Sequence, residues 1–287
     1  MKRKIFNNVM AVLLALAISS GSITAFARPV PPEPPYVPRE RTVVQPYPMP
    51  ASMDRRGGAR PASPEDIAER EAFWREHTLE EVLRMQGLTD EQIADVMGLN
   101  EFAPFTFWRQ VSRARYFGQE RSYTCGAAVS RMALHSLGRP VPSESQVLDR
   151  NRPVHLFMYP SGGGTNLRSI QAYIGEMSGV WYNAEFGDRT TITPWTFSVL
   201  LTTGVTSLDR KSIVGVEPRI ARGFPYNGNF GHFIAIYAVF PHNPYNQAVV
   251  AVLDPWGGYR NNRSYERYSL TIQNLYNSHM RRVGFLW

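Results

Sequence analysis

The hydrophobic pattern of the chain changes from a helical period to a strand period near residue 210, and this order limits the folds that are possible. Apolar residues recur every three or four positions before that point and form short β-rich runs between turn residues after it. The predicted helices cover residues 125–137, 166–177 and 194–201. The predicted strands cover residues 212–216, 232–240 and 248–253. Helices followed by strands favour an α+β fold in which the helical part packs on an antiparallel β-sheet.

The first 27 residues have the pattern of a secretory signal peptide. Three basic residues at positions 2–4 precede an apolar run over 9–18, and Ala25-Phe26-Ala27 offers a small-x-small cleavage site. The apolar run is shorter than the roughly 20 residues of a membrane-spanning helix. We therefore expect residues 1–27 to be removed and the protein to be secreted or periplasmic, without an integral membrane domain. The alternative is an uncleaved anchor.

Two segments separate this signal from the main domain. Residues 28–62 are rich in proline, which predicts an extended, flexible linker. Residues 63–100 predict three short helices, because Ser63 is followed by proline and because capping-box patterns begin at Thr78 and Thr89. This segment is either an accessory part of the fold or a propeptide that covers the active site. We assign residues 101–287 to the main domain.

The charge of the chain does not indicate nucleic acid as a partner. The formal net charge is +7, from 31 Lys and Arg against 24 Asp and Glu. Removing residues 1–27 deletes three of the basic residues and no acidic one, so that 28 face 24. The remaining excess is scattered, without the dense basic block typical of nucleic-acid binding. A protein or peptide is the expected partner, and the sequence does not indicate an oligomeric state.

The single cysteine, Cys125, stands where the first helix of the main domain is predicted to begin. An exported protein usually has paired cysteines or none, so a lone one is buried and inert, forms an intermolecular link, or is a reactive thiol. Unpaired amides and the dipole at a helix start stabilise a thiolate. The small residues Gly126 and Ala127 would let a substrate approach the sulfur, although they would equally allow close helix packing.

A reactive thiol needs a proton-carrying partner, and His232 is the best of the six histidines. It stands after a glycine at the start of an apolar strand, which would hold the imidazole rigidly. His135 lies about 15 Å along the helix from Cys125, too far to contact the sulfur. His242 lies in a turn and is expected to face solvent. Asp254 ends the strand after that of His232, where it could orient the imidazole, although Asp before Pro is also a common turn former.

These residues resemble the papain-like cysteine peptidases. The shared pattern is Gln119 six positions before the Cys-Gly pair at Cys125, then a Gly-His pair at His232 and an Asp-Pro pair at Asp254. Within that group the chain is most similar to the bacteriocin-leader (double-glycine) peptidases and their stand-alone relatives, over residues 110–260. The resemblance implies a papain-like fold with no metal or organic cofactor. It also implies an oxyanion hole formed by Gln119 and the Cys125 amide, with a His232–Asp254 pair serving the nucleophile Cys125.

Two departures limit what this resemblance implies about the substrate. Leader peptidases are usually fused to a membrane transporter and face the cytoplasm, whereas the signal peptide predicts an exported domain here. Ala127 also stands where many relatives have proline. We therefore expect an exported cysteine hydrolase, in the first place a peptidase. The alternatives are a cell-wall peptide hydrolase, transamidase or deamidase on the same fold, or an inactive secreted binding protein that uses its many aromatic residues to hold a ligand.

Overall fold

The computed structural model describes residues 58–97, 109–159, 163–186, 192–218, 223–227, 230–240, 248–279 and 283–287. All of them belong to a compact unit spanning Val43–Trp287. The predicted signal peptide and the linker up to residue 57 lie outside the described residues. Among the described residues, no helix is both long and apolar enough to cross a bilayer.

The helices largely follow the sequence predictions. The three predicted helices of the segment 63–100 are present, with both capping boxes and with Ser63 as an N-cap. Asn166 caps the second predicted helix of the main domain, and the third predicted helix extends five residues beyond its predicted end. The short helix Glu144–Leu148 between the first two was not predicted. The helices are α1 Pro64–Glu76, α2 Leu79–Met85, α3 Asp90–Val96, α4 Cys125–Ser136, α5 Glu144–Leu148, α6 Leu167–Ser178, α7 Pro194–Thr206, α8 Trp256–Arg260, α9 Arg263–Glu266 and α10 Ile272–Ser278.

The strands form one antiparallel sheet and a separate two-stranded pair. Their bounds are β1 Ala59–Arg60, β2 Arg109–Gln110, β3 Thr165–Asn166, β4 Ala184–Glu185, β5 Ser212–Val216, β6 His232–Phe240, β7 Val249–Leu253, β8 Arg267–Thr271 and β9 Phe285–Leu286. The sheet has the order β4-β9-β5-β6-β7-β8, and β2 pairs with β6. The three predicted strands are therefore its centre. Strands β1 and β3 pair in parallel.

Helices cover both faces of the sheet, which extends the prediction of a helical part on one sheet. Neighbouring residues of a strand point to opposite faces. In β5, Ile213 belongs to the hydrophobic cluster that includes residues of α4 and α6. Val214 belongs to the cluster that includes residues of α7 and α10. The architecture is therefore α+β, with an antiparallel sheet between two helical layers.

The accessory helix α1 is bound to the main domain by a buried carboxylate. Glu185 is fully buried and accepts two hydrogen bonds from the guanidinium of Arg70. It also accepts from the indole nitrogens of Trp74, at 2.7 Å, and Trp287, at 2.9 Å. A second ion pair joins Arg168 to Asp66 at 2.8 Å. The segment 63–76 thus packs against the main domain through these hydrogen bonds and ion pairs.

Candidate active site

Cys125 is the first residue of α4 and is fully buried. The hydroxyl of the N-cap residue Thr124 accepts from the amide of Arg121 and donates to its carbonyl, both at 3.1 Å. This hydroxyl is therefore engaged by the preceding turn instead of capping α4. The first amides of an α-helix have no acceptor within the helix. The Cys125 amide, at the first position of α4, is one of these donors.

The sheet brings His232 and Asp254 together at one end. Strands β6 and β7 are antiparallel neighbours, with Ala235 opposite Leu253. The start of β6 and the residue following β7 therefore meet. Nε2 of His232 donates to Oδ1 of Asp254 at 2.7 Å, and both side chains are buried. The charge of Cys125 is among the causes that raise the pKa of this imidazole, so the thiol lies close to it. The structure thus brings the predicted thiol, imidazole and carboxylate into one continuous cluster.

Two tyrosines that the sequence analysis did not identify as site residues complete the surroundings of Asp254. The hydroxyls of Tyr226 and Tyr268 each donate to Oδ2 at 2.6 Å, and the amide of Trp256 donates to Oδ1 at 2.9 Å. Burial, followed by the charge of Asp254, raises the pKa of both tyrosines well above its ordinary value. Both phenols therefore remain neutral donors. With His232, four groups hold this carboxylate in one orientation.

The electrostatics of the cluster favour a charged imidazole. Burial by itself lowers the pKa of His232. Attraction to Asp254 and Cys125, together with the hydrogen bond to Asp254, outweighs burial and raises the pKa to about 10. The ring also lies between aromatic side chains, with centroid distances of 5.9 Å to Phe230 and 6.0 Å to Trp256. These rings keep water from the His232–Asp254 pair.

Gln119 lies beside the cluster, but its amide is engaged with the backbone. Its side-chain Nε2 donates to the carbonyl of Arg121 at 2.7 Å, and its main-chain amide donates to the carbonyl of Pro255 at 3.1 Å. The second bond joins the turn before Cys125 to the turn after Asp254. An amide nitrogen has two N–H groups, so Nε2 retains one beyond the bond to Arg121.

The thiol is covered by a segment that was predicted to belong to the flexible linker. A Cβ atom added to Gly58 would overlap Sγ of Cys125, so the glycine backbone lies directly against the sulfur. Ala59, Arg60 and Ala62 are each 2% exposed. The structure thus differs from the predicted linker at residues 58–62, which form β1 and a buried connection to α1. A two-residue strand next to prolines gives no periodic signal, so sequence reasoning could not detect it.

The remaining histidine predictions concern residues away from the cluster. His135 lies on α4 with its ring 6.0 Å from that of Phe117, and burial lowers its pKa. His242 and the turn that contains it lie outside the described residues. Within the described part of the chain, no group of three or more His, Cys, Asp or Glu side chains is arranged to bind a metal ion.

Comparisons with known proteins identify no family for the chain. No family model matches it, and no curated protein matches it. Among solved structures, it is similar to digestive procathepsin L 3 from the larval midgut of Tenebrio molitor. The two are 12% identical, and the match covers 77% of this chain and 87% of that one, with a TM-score of 0.41. A similarity of this size does not establish membership of a family.

Proposed function

We propose that the protein is an exported cysteine hydrolase of the papain-like kind, acting as a peptidase on peptide or related amide bonds. The observation that supports this best is the buried cluster of Cys125, His232 and Asp254, in which His232 donates to Asp254 at 2.7 Å. A nucleophile, a proton carrier and an orienting carboxylate in that order are what acyl transfer requires. The raised pKa of His232, to about 10, keeps the imidazole protonated beside the sulfur at neutral pH.

The proposed reaction starts with attack of the Cys125 thiolate on the carbonyl carbon of the scissile amide. A carbon–sulfur bond forms and the carbonyl electron pair moves to oxygen. When the tetrahedral intermediate collapses, the carbon–nitrogen bond breaks and His232 gives its proton to the leaving amine. A water molecule, deprotonated by His232, then hydrolyses the thioester and restores the thiol. Asp254 keeps the imidazole aligned through both steps.

The developing negative charge on oxygen requires donors near the sulfur. We assign this role to the Cys125 amide at the start of α4 and to the second N–H of Gln119. Loss of one such donor typically lowers the rate by about 10²–10³. Gln119→Glu, which replaces the donor by an acceptor of the same shape, should therefore lower kcat far more than it changes KM.

The export part of the proposal depends on residues 1–27. Expression of the full chain in a bacterial host, followed by cell fractionation and N-terminal sequencing, tests it. We expect the processed protein outside the cytoplasm, beginning at Arg28. A full-length chain retained in the cytoplasm would contradict export without affecting the proposed chemistry.

The chemical proposal is tested by incubating the wild-type protein and Cys125→Ala, purified alike, with denatured proteins, cell-wall peptides and amine acceptors. Mass spectrometry of the products distinguishes addition of water from addition of an amine. We expect hydrolysis products from the wild type alone. Products that form equally with both proteins would contradict the proposal. The substitution Arg60→Met is meant to free the thiol from residues 58–60. If this variant also gave no products, that result would contradict the proposal as well.

A further inference from the structure

The segment Gly58–Arg60 occupies the cleft beside Cys125 as an added strand. The carbonyl of Gly58 accepts from the amide of Thr165 at 2.8 Å, and the amide of Ala59 donates to the carbonyl of Gly231 at 3.1 Å. Its backbone is thus held on one side by β3 and on the other by the residue before His232. Strand addition of this kind is a general mode of peptide recognition, in which main-chain bonds provide affinity and side-chain pockets provide specificity.

The side chain of Arg60 fills a pocket of this cleft. It is 2% exposed, and its Nε and Nη2 donate to the carbonyl of Gly163 at 3.2 and 3.0 Å. Burial lowers the pKa of Arg60, whereas attraction to Cys125 and Tyr159 raises it. Burying a charged side chain is costly unless its surroundings supply partners. The pocket therefore has the chemistry of a guanidinium site, close enough to the thiol for the two groups to interact.

The wall of the pocket is shaped for this side chain. Gly164 has φ +82°, and a Cβ atom there would lie 2.7 Å from the carbonyl oxygen of Gly58 and 2.9 Å from Nε of Arg60. Both glycines are bonded to Tyr159 through the backbone. The Tyr159 amide donates to the Gly164 carbonyl at 3.0 Å, and the Gly163 amide donates to the Tyr159 carbonyl at 3.2 Å. Asn166 donates to the Tyr159 hydroxyl at 3.2 Å. The space for an arginine is thus bounded by two glycines whose backbone is held by hydrogen bonds.

We propose that this pocket is an arginine-binding subsite of the cleft, which the chain's own Arg60 fills in the structure. When residues 58–60 leave, the Gly163 and Gly231 carbonyls and the Thr165 amide lose their partners. A peptide with glycine at the sulfur and arginine two residues later would satisfy the same groups. The subsite favours arginine over lysine, since two guanidinium N–H groups converge on one carbonyl. The inference that a substrate arginine occupies this pocket rests on the proposed function, whereas the binding of an arginine peptide does not.

The first test replaces the internal occupant. Arg60→Met keeps an unbranched side chain but removes the guanidinium, and Arg150→Met alters an exposed arginine as a matched control. Because Cys125 is the only cysteine, its alkylation by iodoacetamide reports how often the cleft opens. We expect alkylation about tenfold faster in Arg60→Met, since the lost bonds involve a charged donor, and no change in Arg150→Met. Equal rates in all three proteins, with thermal unfolding unchanged, would overturn the proposal.

The second test supplies the ligand from outside. The probe is the acetylated and amidated peptide of residues 56–62, Arg-Gly-Gly-Ala-Arg-Pro-Ala, and its control has norleucine in place of the second arginine. In the Arg60→Met protein, we expect the first peptide to slow alkylation of Cys125 at a concentration at least tenfold lower than the control peptide. Equal protection by the two peptides, or none, would overturn the proposal.

Direct binding of the two peptides to Arg60→Met/Cys125→Ser, measured by calorimetry, gives the same comparison without catalysis. Peptide binding together with a failure of Arg60→Met to hydrolyse any of the tested substrates would overturn the proposed function and leave the subsite intact.

Should Arg60→Met fail to fold, Arg60→Lys replaces it. Lysine keeps the charge but presents one ammonium group in place of the two-donor fork. We expect alkylation of Arg60→Lys to be faster than that of the wild type, and the arginine peptide to slow it. Wild-type behaviour of Arg60→Lys would show that the pocket accepts any cation and would overturn the arginine preference.

Discussion

At the residue scale, Asp254 is the group that determines how the candidate site works. Its two oxygens accept from His232, Trp256, Tyr226 and Tyr268. A carboxylate with this many donors has little freedom to rotate, and charge-assisted bonds are stronger than neutral ones. The imidazole is therefore oriented by a fixed anion.

Asp254→Asn should lower the pKa of His232. The raised pKa, about 10, depends on the Asp254 charge and on the hydrogen bond to it, and an amide provides no charge. NMR titration of ¹³C-labelled histidine, with the His232 signal assigned from His232→Gln, measures this pKa directly. We expect a midpoint at a lower pH than in the wild type. An unchanged midpoint would show that Cys125 alone maintains the charged imidazole.

At the element scale, the sequence predicted the helix and strands that position the site, but not how the site is covered and completed. Helix α4 was predictable because its apolar residues recur at helical spacing, and strands β5 and β6 were predictable as short β-rich runs between turn residues. Asp254 was predictable because it ends the strand next to His232. Tyr268 was not, since β8 is a short strand with only Tyr268 and Leu270 as large apolar residues, and its pairing with β7 has no local signal. The pair β1–β3 depends on two segments about 100 residues apart.

The Arg70–Glu185 ion pair should contribute strongly to the binding of α1. Arg70→Met leaves a fully buried carboxylate with two indole donors and no positive partner. Breaking a buried pair in this way typically costs about 3–5 kcal/mol. Urea unfolding, monitored by tryptophan fluorescence, measures this loss, with Arg75→Met on the exposed side of the same helix as the control.

The double substitution Arg70→Met/Glu185→Gln separates the buried charge from the lost contacts. Glutamine removes the unpaired charge, and its carbonyl can still accept from Trp74 and Trp287. We therefore expect the double variant to be more stable than Arg70→Met alone. If Arg70→Met proved as stable as Arg75→Met, the pair would not hold α1 in place.

At the scale of the whole molecule, the stability should depend on pH through two buried groups with opposite effects. Lys211 is fully buried and donates to the carbonyls of Arg113 and Met132, at 2.8 and 2.9 Å. Burial lowers its pKa to about 7. Between that value and its ordinary pKa of 10.5, the unfolded chain binds more protons at this residue, so its contribution to stability increases with pH. His232, whose pKa is raised, acts in the opposite direction.

The contribution of His232 can be isolated as a difference between proteins in which Lys211 is unchanged. The folded-state pKa of His232, about 10, lies above the ordinary value of 6.5, so the folded protein binds the extra proton between them. Its stabilisation is therefore complete below pH 6.5 and is lost as the pH rises through about 10.

Urea unfolding of the wild type and His232→Gln from pH 5 to 10.5 should give a free-energy difference that is constant at first and then declines over this window. His155→Gln, which removes an imidazole beside the Arg152 carbonyl at the surface, serves as the control. A difference that grows with pH would mean that His232 is neutral when buried, and the charged thiol–imidazole pair on which the proposed chemistry depends would not exist.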